Sequence, residues 1–264
     1  MRNHVEIWDE VKKLVPMDDI MFRKMAEKRD FCQEILRVIM SDPDLVVIDH
    51  QPQYPVTNLQ GRSVILDAHC ILGDGREINI EVQKADNDDH QKRVRYNGSL
   101  LTANIVEPGS RFEHIPDVCV IFISRFDLFK EGIPVYHVDR VIRETGKAVD
   151  NGFSEIYVNA AANDGSDIAE LMEVFSSGEV YNDKFPFTST EKRRYRETEE
   201  GRKIMSELME KLKEEGREEG REEGIHDINA LNMWLINENR LDDLCRAASD
   251  LAYQAELLKE LFSE

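Results

Sequence analysis

Two acids on either side of a turn signal are the residues of this chain best suited to catalysis. Asp67 follows the apolar run 64–66, and Glu81 lies in an alternating run that continues to Gln83. Gly73-Asp74-Gly75 lies between them, as is typical of a β-hairpin. Two carboxylates brought together across a hairpin repel each other, and in a partly buried place they persist when protonated or neutralised by a cation. The spacing therefore predicts a cation site.

Four oxygen groups of the hairpin would suit Mg²⁺, which is typically held by one or two carboxylates together with substrate phosphate. They are the Asp67 and Glu81 carboxylates, the Val82 carbonyl and the Gln83 amide. Directly opposed residues share a face, so pairing Asp67 with Glu81 or Gln83 requires an odd-numbered loop or a bulge. A two-residue Asp74-Gly75 turn would place Asp67 opposite Val82 and exclude the shared site.

The hydrophobic pattern predicts the elements that must hold this hairpin. Helical spacing occurs at about residues 3–15, 30–40, 91–105 and 166–175, and strand patterns at 45–48, 118–123, 134–138 and 156–159. The stretch 51–60 is expected to be a connection. The run 118–123 is continuously apolar, as expected for a strand covered on both faces. Helices before, between and after the strands predict an α/β fold.

The composition becomes charge-rich from residue 188. We therefore predict three regions: a folded domain at 1–187, a charged helical linker at 188–227 and a small helical region at 228–264. The linker carries a Glu-Glu-Gly-Arg repeat with a glycine at every fourth position. Each glycine costs a helix about 1 kcal/mol, so this run is either a marginal solvated helix or a flexible link. The leucines after Ile228 are too few to bury themselves, which predicts a homodimer through the C-terminal helices.

Charge and hydropathy limit the class of protein. The net charge of −19 argues against a generally basic nucleic-acid binder, so any DNA contact must come from small basic clusters such as Lys92-Arg93-Arg95. No apolar run is long enough to cross a bilayer, and the start of the chain has no apolar signal core. The four cysteines are most simply reduced core residues. We expect a cytoplasmic protein that does not enter membranes.

The residues around the hairpin resemble a known family. Asp67 followed by Glu81-Val82-Gln83 is similar to the D…E-x-K/Q core of the PD-(D/E)XK nuclease superfamily. The segments 19–23, 92–96 and 115–123 and the Glu-Glu-Gly-Arg repeats resemble the recombination-promoting nuclease (Rpn) or putative transposase family. The resemblance implies a restriction-endonuclease-like mixed sheet flanked by helices, followed by a C-terminal helical appendage. It also implies a Mg²⁺-dependent endonuclease that acts on DNA in recombination or transposition.

The resemblance further implies roles for individual residues. Asp67 and Glu81 would hold the metal together with the Val82 carbonyl. Gln83 stands where the superfamily commonly has lysine, and its neutral amide can orient water or phosphate but supplies no positive charge. Arg93 would then clamp phosphate; the alternative is that Arg93 is an ordinary helix-surface arginine.

Three more residues have two interpretations each. Asp19 is either a helix N-cap, for which Asp18 is the other candidate, or a further metal ligand, as the resemblance implies. His69 is a base or, preferably, a hydrogen-bonded sheet histidine. Tyr96 is a phosphate contact or, preferably, a core residue. The rival function is that of a catalytically inactive member that binds DNA or a protein partner.

Overall fold

The computed structural model describes residues 4–262 and, within them, the side chains of all but residues 4–7, 219 and 223. The chain divides into two compact units, of which the first ends at Ser206 and the second begins at Glu207. Among the described helices, none combines the length and the apolar character that a membrane span requires.

A mixed sheet forms the centre of the first unit. The strands, in chain order, are β1 (Val47–Val56), β2 (Val64–Leu72), β3 (Glu77–Gln83), β4 (Val118–Ser124), β5 (Val135–Val138), β6 (Arg140–Ile142), β7 (Lys147–Val149) and β8 (Phe153–Asn159). Six of them form one sheet in the order β1-β2-β3-β4-β8-β5, and β6 pairs with β7 separately. β3, β4 and β8 are parallel neighbours, whereas β1, β2 and β5 are antiparallel to their partners. The predicted mixed sheet is confirmed.

Helices cover this sheet. They are α1 (His4–Val11), α2 (Asp19–Met25), α3 (Arg29–Ile39), α4 (His90–Ile105), α5 (Asp167–Ser176) and α6 (Pro186–Glu197), with a short 3₁₀ turn at Phe112–His114. The rings of Phe22, Phe31 and Phe175 pack together and join α2, α3 and α5. Val94 of α4 packs on Val120 of β4. β4 is buried at every position, as predicted for a strand with both faces covered.

The turn between β2 and β3 determines which side chains share a face. The register pairs residues whose numbers have an even sum, Ala68 with Ile80 among them. The loop is the three-residue segment 73–75, whose last glycine has a φ of 89°, a conformation that glycine adopts without a steric penalty. Continuing this register sets Asp67 opposite Glu81. The predicted odd-numbered loop is confirmed.

Three elements differ from the prediction. β1 extends to Val56 through the stretch expected to be a connection, because prolines at positions 52 and 55 are tolerated in an edge strand. The first helix ends at Val11 rather than near residue 15, and residue 3 lies outside the described part of the chain. The hairpin of β6 and β7 was not predicted; its strands have only three residues each, too few for an alternating pattern to show.

Helix α6 belongs to the first unit although the composition changes at residue 188. The Glu34 carboxylate of α3 accepts the N–H groups of Phe187 and Thr188 (2.9 and 2.7 Å) and so caps α6. Lys192 is fully buried and donates to the Val174 carbonyl (2.8 Å). A folded domain ending at 187 would lose these contacts. The end of the first unit therefore does not coincide with the change in composition.

The second unit is helical. Its elements are the C-terminal part of α7 (Glu199–Asn237), α8 (Leu241–Ala247) and α9 (Leu251–Leu261). The Glu-Glu-Gly-Arg repeat lies inside α7, so of the two interpretations the helix is observed. Leu231, Leu235, Ala247 and Leu257 form a buried cluster. The leucines bury one another more completely than expected, while Leu241 and Leu251 remain 54% and 79% exposed.

The cysteines carry no disulfide bond. Cys32, Cys70 and Cys119 are buried free thiols, as predicted. Cys245, in α8, is free but exposed. The assignment of all four cysteines to the core was therefore wrong for Cys245.

Candidate active site

Asp67 of β2 and Glu81 of β3 lie side by side in the interior of the first unit. Their exposed fractions are 8% and 1%. The Val82 N–H donates to Asp67 Oδ2 (2.9 Å), so the Asp67 side chain bonds directly to the strand that carries Glu81. The hairpin register places both acids on the same face. The structure thus brings together the two acids that the sequence singled out.

Both carboxylate oxygens of Glu81 accept a side-chain hydrogen bond. Asn79 Nδ2 donates to Oε1 (3.0 Å), and Arg93 Nη2 donates to Oε2 (3.1 Å). The second arm of the same guanidinium, Nη1, donates to Gln83 Oε1 (3.1 Å). Gln83 Nε2 in turn donates to the Ala85 carbonyl (2.9 Å). Arg93 therefore spans two of the predicted site residues, and its role toward phosphate stays a prediction.

The start of α4 places Arg93 over the acids. Asp89 is the N-cap, and its side chain accepts the N–H of Lys92 (3.1 Å), which fixes the first turn. Arg93 follows in that turn. Farther along, Gly98 allows close packing on β8, since a Cβ there would lie 2.4 Å from the Phe153 ring. The cap and the glycine together set how near α4 lies to the sheet.

Burial and mutual repulsion make two ionised acids unfavourable at this place. Burial raises the pKa of Asp67 well above its usual range, and the charge of Glu81 raises it further, against the opposing Val82 hydrogen bond. Burial also raises the pKa of Glu81, which Arg93 and Asn79 partly offset. A cation between the two carboxylates would remove this penalty.

The oxygen groups around the acids fit a hard divalent cation. Carboxylates are preferred ligands of Mg²⁺. The Val82 carbonyl leaves the strand on the same edge as its N–H, which points to Asp67, while the Gln83 carbonyl faces the other edge and accepts the Arg125 N–H (3.0 Å). Within residues 4–262, no three His, Cys, Asp or Glu side chains converge as a complete ligand set. Water or substrate oxygens would have to complete the coordination.

Asp19 is near the pair but does not complete it. Its negative charge contributes to the raised pKa of Asp67. The N-cap of α2 is Asp18, and Asp19 is the first residue of the helix, so the N-cap interpretation of Asp19 is wrong. Asp18 instead accepts the Val15 N–H (2.9 Å) and pairs with Lys84. A ligand role for Asp19 stays a prediction.

His69 and Tyr96 are engaged in structural contacts. His69 Nε2 forms a short hydrogen bond with the Glu77 carboxylate, and its ring stacks on Tyr54 at 4.5 Å between centroids. The Tyr96 hydroxyl donates to the Arg62 carbonyl. It also accepts from Asn58 Nδ2 (3.0 Å). These contacts match the preferred sheet-histidine interpretation, and they tie Tyr96 to the loop before β2 rather than placing it in the core.

Asn79 is the site residue that the sequence analysis missed. It is fully buried between the acid pair and the His69–Glu77 contact, and it holds Glu81 Oε1. Its Oδ1 has no hydrogen-bond partner among the described residues. Asn79 and Glu81 lie two residues apart in β3, so strand alternation puts their side chains on the same face. That shared face was the available signal, because a buried amide must find partners.

Comparison with known protein families agrees with this geometry. Residues 16–166 match the model of the PD-(D/E)XK nuclease family transposases. The match covers more than half of the chain, from just before α2 to just past β8, and includes all the predicted site residues. The chain therefore belongs to this family, in agreement with the resemblance to the Rpn group. No curated protein sequence and no solved structure matches the chain significantly.

Proposed function

We propose that this chain is a divalent-metal-dependent DNA endonuclease that hydrolyses phosphodiester bonds and acts in recombination or transposition. The observation that carries the proposal is the buried Asp67–Glu81 pair, set on one face of the hairpin in a PD-(D/E)XK nuclease family member. Two mutually repelling carboxylates in a folded core reduce stability. Such pairs are therefore found mainly at functional sites. Binding a cation next to a phosphate is such a function.

Each site residue has a distinct part in this proposal. Asp67 and Glu81 would hold Mg²⁺ with the Val82 carbonyl, and Asp19, whose charge acts on Asp67, would be a further ligand. When bound, a divalent cation polarises phosphoryl oxygens and lowers the pKa of a coordinated water. Gln83 would orient that water or a phosphate oxygen. Arg93 would neutralise charge on the phosphate.

A plasmid-cleavage assay tests the proposal. Wild-type protein should convert supercoiled plasmid to cut forms in Mg²⁺ and not in EDTA. Glu81→Gln keeps the size and the Asn79 contact but removes the charge, and should lower the rate at least about a hundredfold, as for loss of an essential charged group. Glu113→Gln, at an exposed acid, is the matched control and should cut like wild type.

The rival function makes a different prediction in the same assay. A catalytically inactive binding module would leave plasmid intact in every metal and would still shift DNA or a protein partner on a native gel. Cleavage that survives Glu81→Gln at the wild-type rate would contradict the proposal, because the activity would not depend on the acid pair.

Partners and location complete the proposal. We place the protein in the cytoplasm, and we assign a homodimer to the C-terminal helices. The exposed Leu241 and Leu251 of the second unit support the dimer, because apolar side chains on short helices are commonly covered by a second copy. A dimer would also present two sites to one duplex.

A further inference from the structure

Arg93 occupies the position in which a cation is most needed. Its guanidinium lies 3.1 Å from Glu81 Oε2 and 3.1 Å from Gln83 Oε1. Its charge opposes the rise in the pKa values of Asp67 and Glu81 that burial causes. The planar fork of arginine satisfies two acceptors at once. In this arrangement the acid pair has a built-in positive partner.

A divalent cation and Arg93 compete for the same carboxylate. A bound Mg²⁺ lies about 2.1 Å from a ligand oxygen, so at Glu81 it would stand within a few ångströms of the guanidinium, where like charges repel strongly in a poorly solvated place. The Glu81 side chain cannot move away, since it is 1% exposed and Asn79 donates a hydrogen bond to its other oxygen. The Arg93 side chain can move toward solvent, since it is 36% exposed.

We propose that Arg93 is an internal counter-ion that exchanges Glu81 for a DNA phosphate when a divalent cation enters the site. The inference rests on the proposed function and adds a coupling to it. Metal binding sets free the Arg93 guanidinium, and a phosphate beside the metal gives that guanidinium a new partner. In a chain with a net charge of −19, this supplies local positive charge only after the carboxylates are neutralised.

Metal binding without DNA tests the exchange. Mn²⁺ alone is titrated into the full-length protein, with free Mn²⁺ measured by electron paramagnetic resonance and heat by calorimetry. Arg93→Gln should bind Mn²⁺ about tenfold more tightly than wild type, a coupling of ordinary size for two linked sites. The Mn²⁺ titrations are run at the highest pH at which both proteins stay folded, because loss of Arg93 also favours protonation of the acids. Arg95→Gln, an exposed arginine on the same helix, is the control and should bind within about twofold of wild type.

The outcomes separate this inference from the proposed function. If wild type binds Mn²⁺ through Glu81, as judged by loss of binding in Glu81→Gln, but Arg93→Gln binds equally or more weakly, the exchange is wrong and the metal site stands. If neither wild type nor Arg93→Gln binds Mn²⁺, the proposed function fails as well. Arg93→Lys keeps the charge but lacks the second arm that bonds Gln83. Its Mn²⁺ affinity should lie between those of wild type and Arg93→Gln, so it provides a second variant if Arg93→Gln does not fold.

DNA binding provides an independent measurement. The affinity for a short duplex is measured against salt concentration in Ca²⁺ and in EDTA. In Ca²⁺, Arg93→Gln should reduce the slope of log affinity against log salt by about one, the value for one lost phosphate contact. In EDTA the slopes of wild type and Arg93→Gln should agree, because Arg93 then stays on Glu81. A loss of slope that is equal in both conditions would overturn the exchange.

Discussion

The Asp67 and Glu81 carboxyl groups are held in an environment that favours their protonated forms. Burial is the largest cause for each, and the Asp67–Glu81 repulsion adds to the effect on Asp67. Asn79, Arg93 and the Val82 N–H offset part of that penalty without removing it. Individual residues therefore reduce stability at the place where we propose that a cation binds.

Replacing Asp67 should show this effect. Between about pH 4, the pKa of an unfolded aspartate, and the raised pKa of the folded state, the native protein holds more protons than the unfolded chain. Stability must then fall as pH rises. In EDTA, wild type should be less stable at pH 8 than at pH 5, and Asp67→Asn should lose less stability over the same interval, because position 67 then carries no ionisable group. Urea unfolding at the two pH values measures it.

Divalent metal supplies the control for that experiment. At pH 8, Mg²⁺ should raise the unfolding midpoint of wild type and leave the midpoint of Asp67→Asn nearly unchanged. Only wild type has both carboxylates to bind the metal. Wild-type protein that is most stable at pH 8 in EDTA would contradict the assignment of a raised Asp67 pKa.

Gln83 is expected to position groups rather than to supply charge. Gln83→Lys should retain metal binding and some cleavage, because lysine stands at this place in the wider superfamily. Gln83→Leu should keep the fold but lose most cleavage, since it removes the acceptor of Arg93 Nη1 and the donor to Ala85. Plasmid-cleavage rates and circular dichroism compare the three proteins. Wild-type activity in the leucine variant would remove Gln83 from the mechanism.

The hairpin is the element on which the site depends. A three-residue loop sets Asp67 and Glu81 on one face, and a loop shorter by one residue would turn one of them to the other face. Helix α4 then adds Arg93 from outside the hairpin, through the cap at Asp89 and the close approach at Gly98. One element fixes the acids, and the other fixes their counter-charge.

Two glycines of the loop offer a matched test. Gly75 has a φ of 89°, and Gly73 has no such conformation, with its nearest neighbours at ordinary contact distances of 3.7 to 3.8 Å from a Cβ. Gly75→Ala should cost about 1 kcal/mol through backbone strain, and Gly73→Ala should be nearly neutral. Urea unfolding of the two variants compares them directly. Equal losses would mean that the loop geometry does not require a left-handed residue at position 75.

At the level of the whole molecule, the chain consists of a first unit that contains every candidate site residue and a helical second unit that contains none of them. The family match ends at residue 166 and so leaves the helical unit outside it. Ending the chain at residue 187 would remove the buried Lys192 and the cap that Glu34 places on α6. A separation of catalysis from assembly must therefore be tested at Ser206.

A chain truncated after Ser206 should be a folded monomer that binds metal and nicks DNA but cuts both strands poorly. The full-length protein should be a dimer, because the exposed apolar side chains of the second unit would be covered by a second copy. Light scattering on both proteins, with Mn²⁺ binding as the check of folding, decides the point. A full-length monomer, or a truncated dimer, would refute the assembly role.

The hairpin and its acid pair could be predicted because they depend on local geometry. Side-chain alternation, the Gly73-Asp74-Gly75 signal and the parity of the loop act within about twenty residues of chain, and together they place Asp67 opposite Glu81. The covered strand β4 was equally evident from its continuous apolar run. The helical structure of the Glu-Glu-Gly-Arg repeat could not be predicted. The cost of its glycines left a helix and a flexible link as nearly equal alternatives.

The contacts of Glu81 could not be obtained in that way. Arg93 reaches it from a separate helix, and the distance depends on how closely α4 packs at Gly98 rather than on any spacing along the chain. The burial of Asn79 and the approach of Asp19 to Asp67 likewise depend on layers packing over the sheet. Sequence periodicity describes which face a residue occupies, whereas the charge environment of a buried acid is the sum over neighbours that tertiary packing brings together.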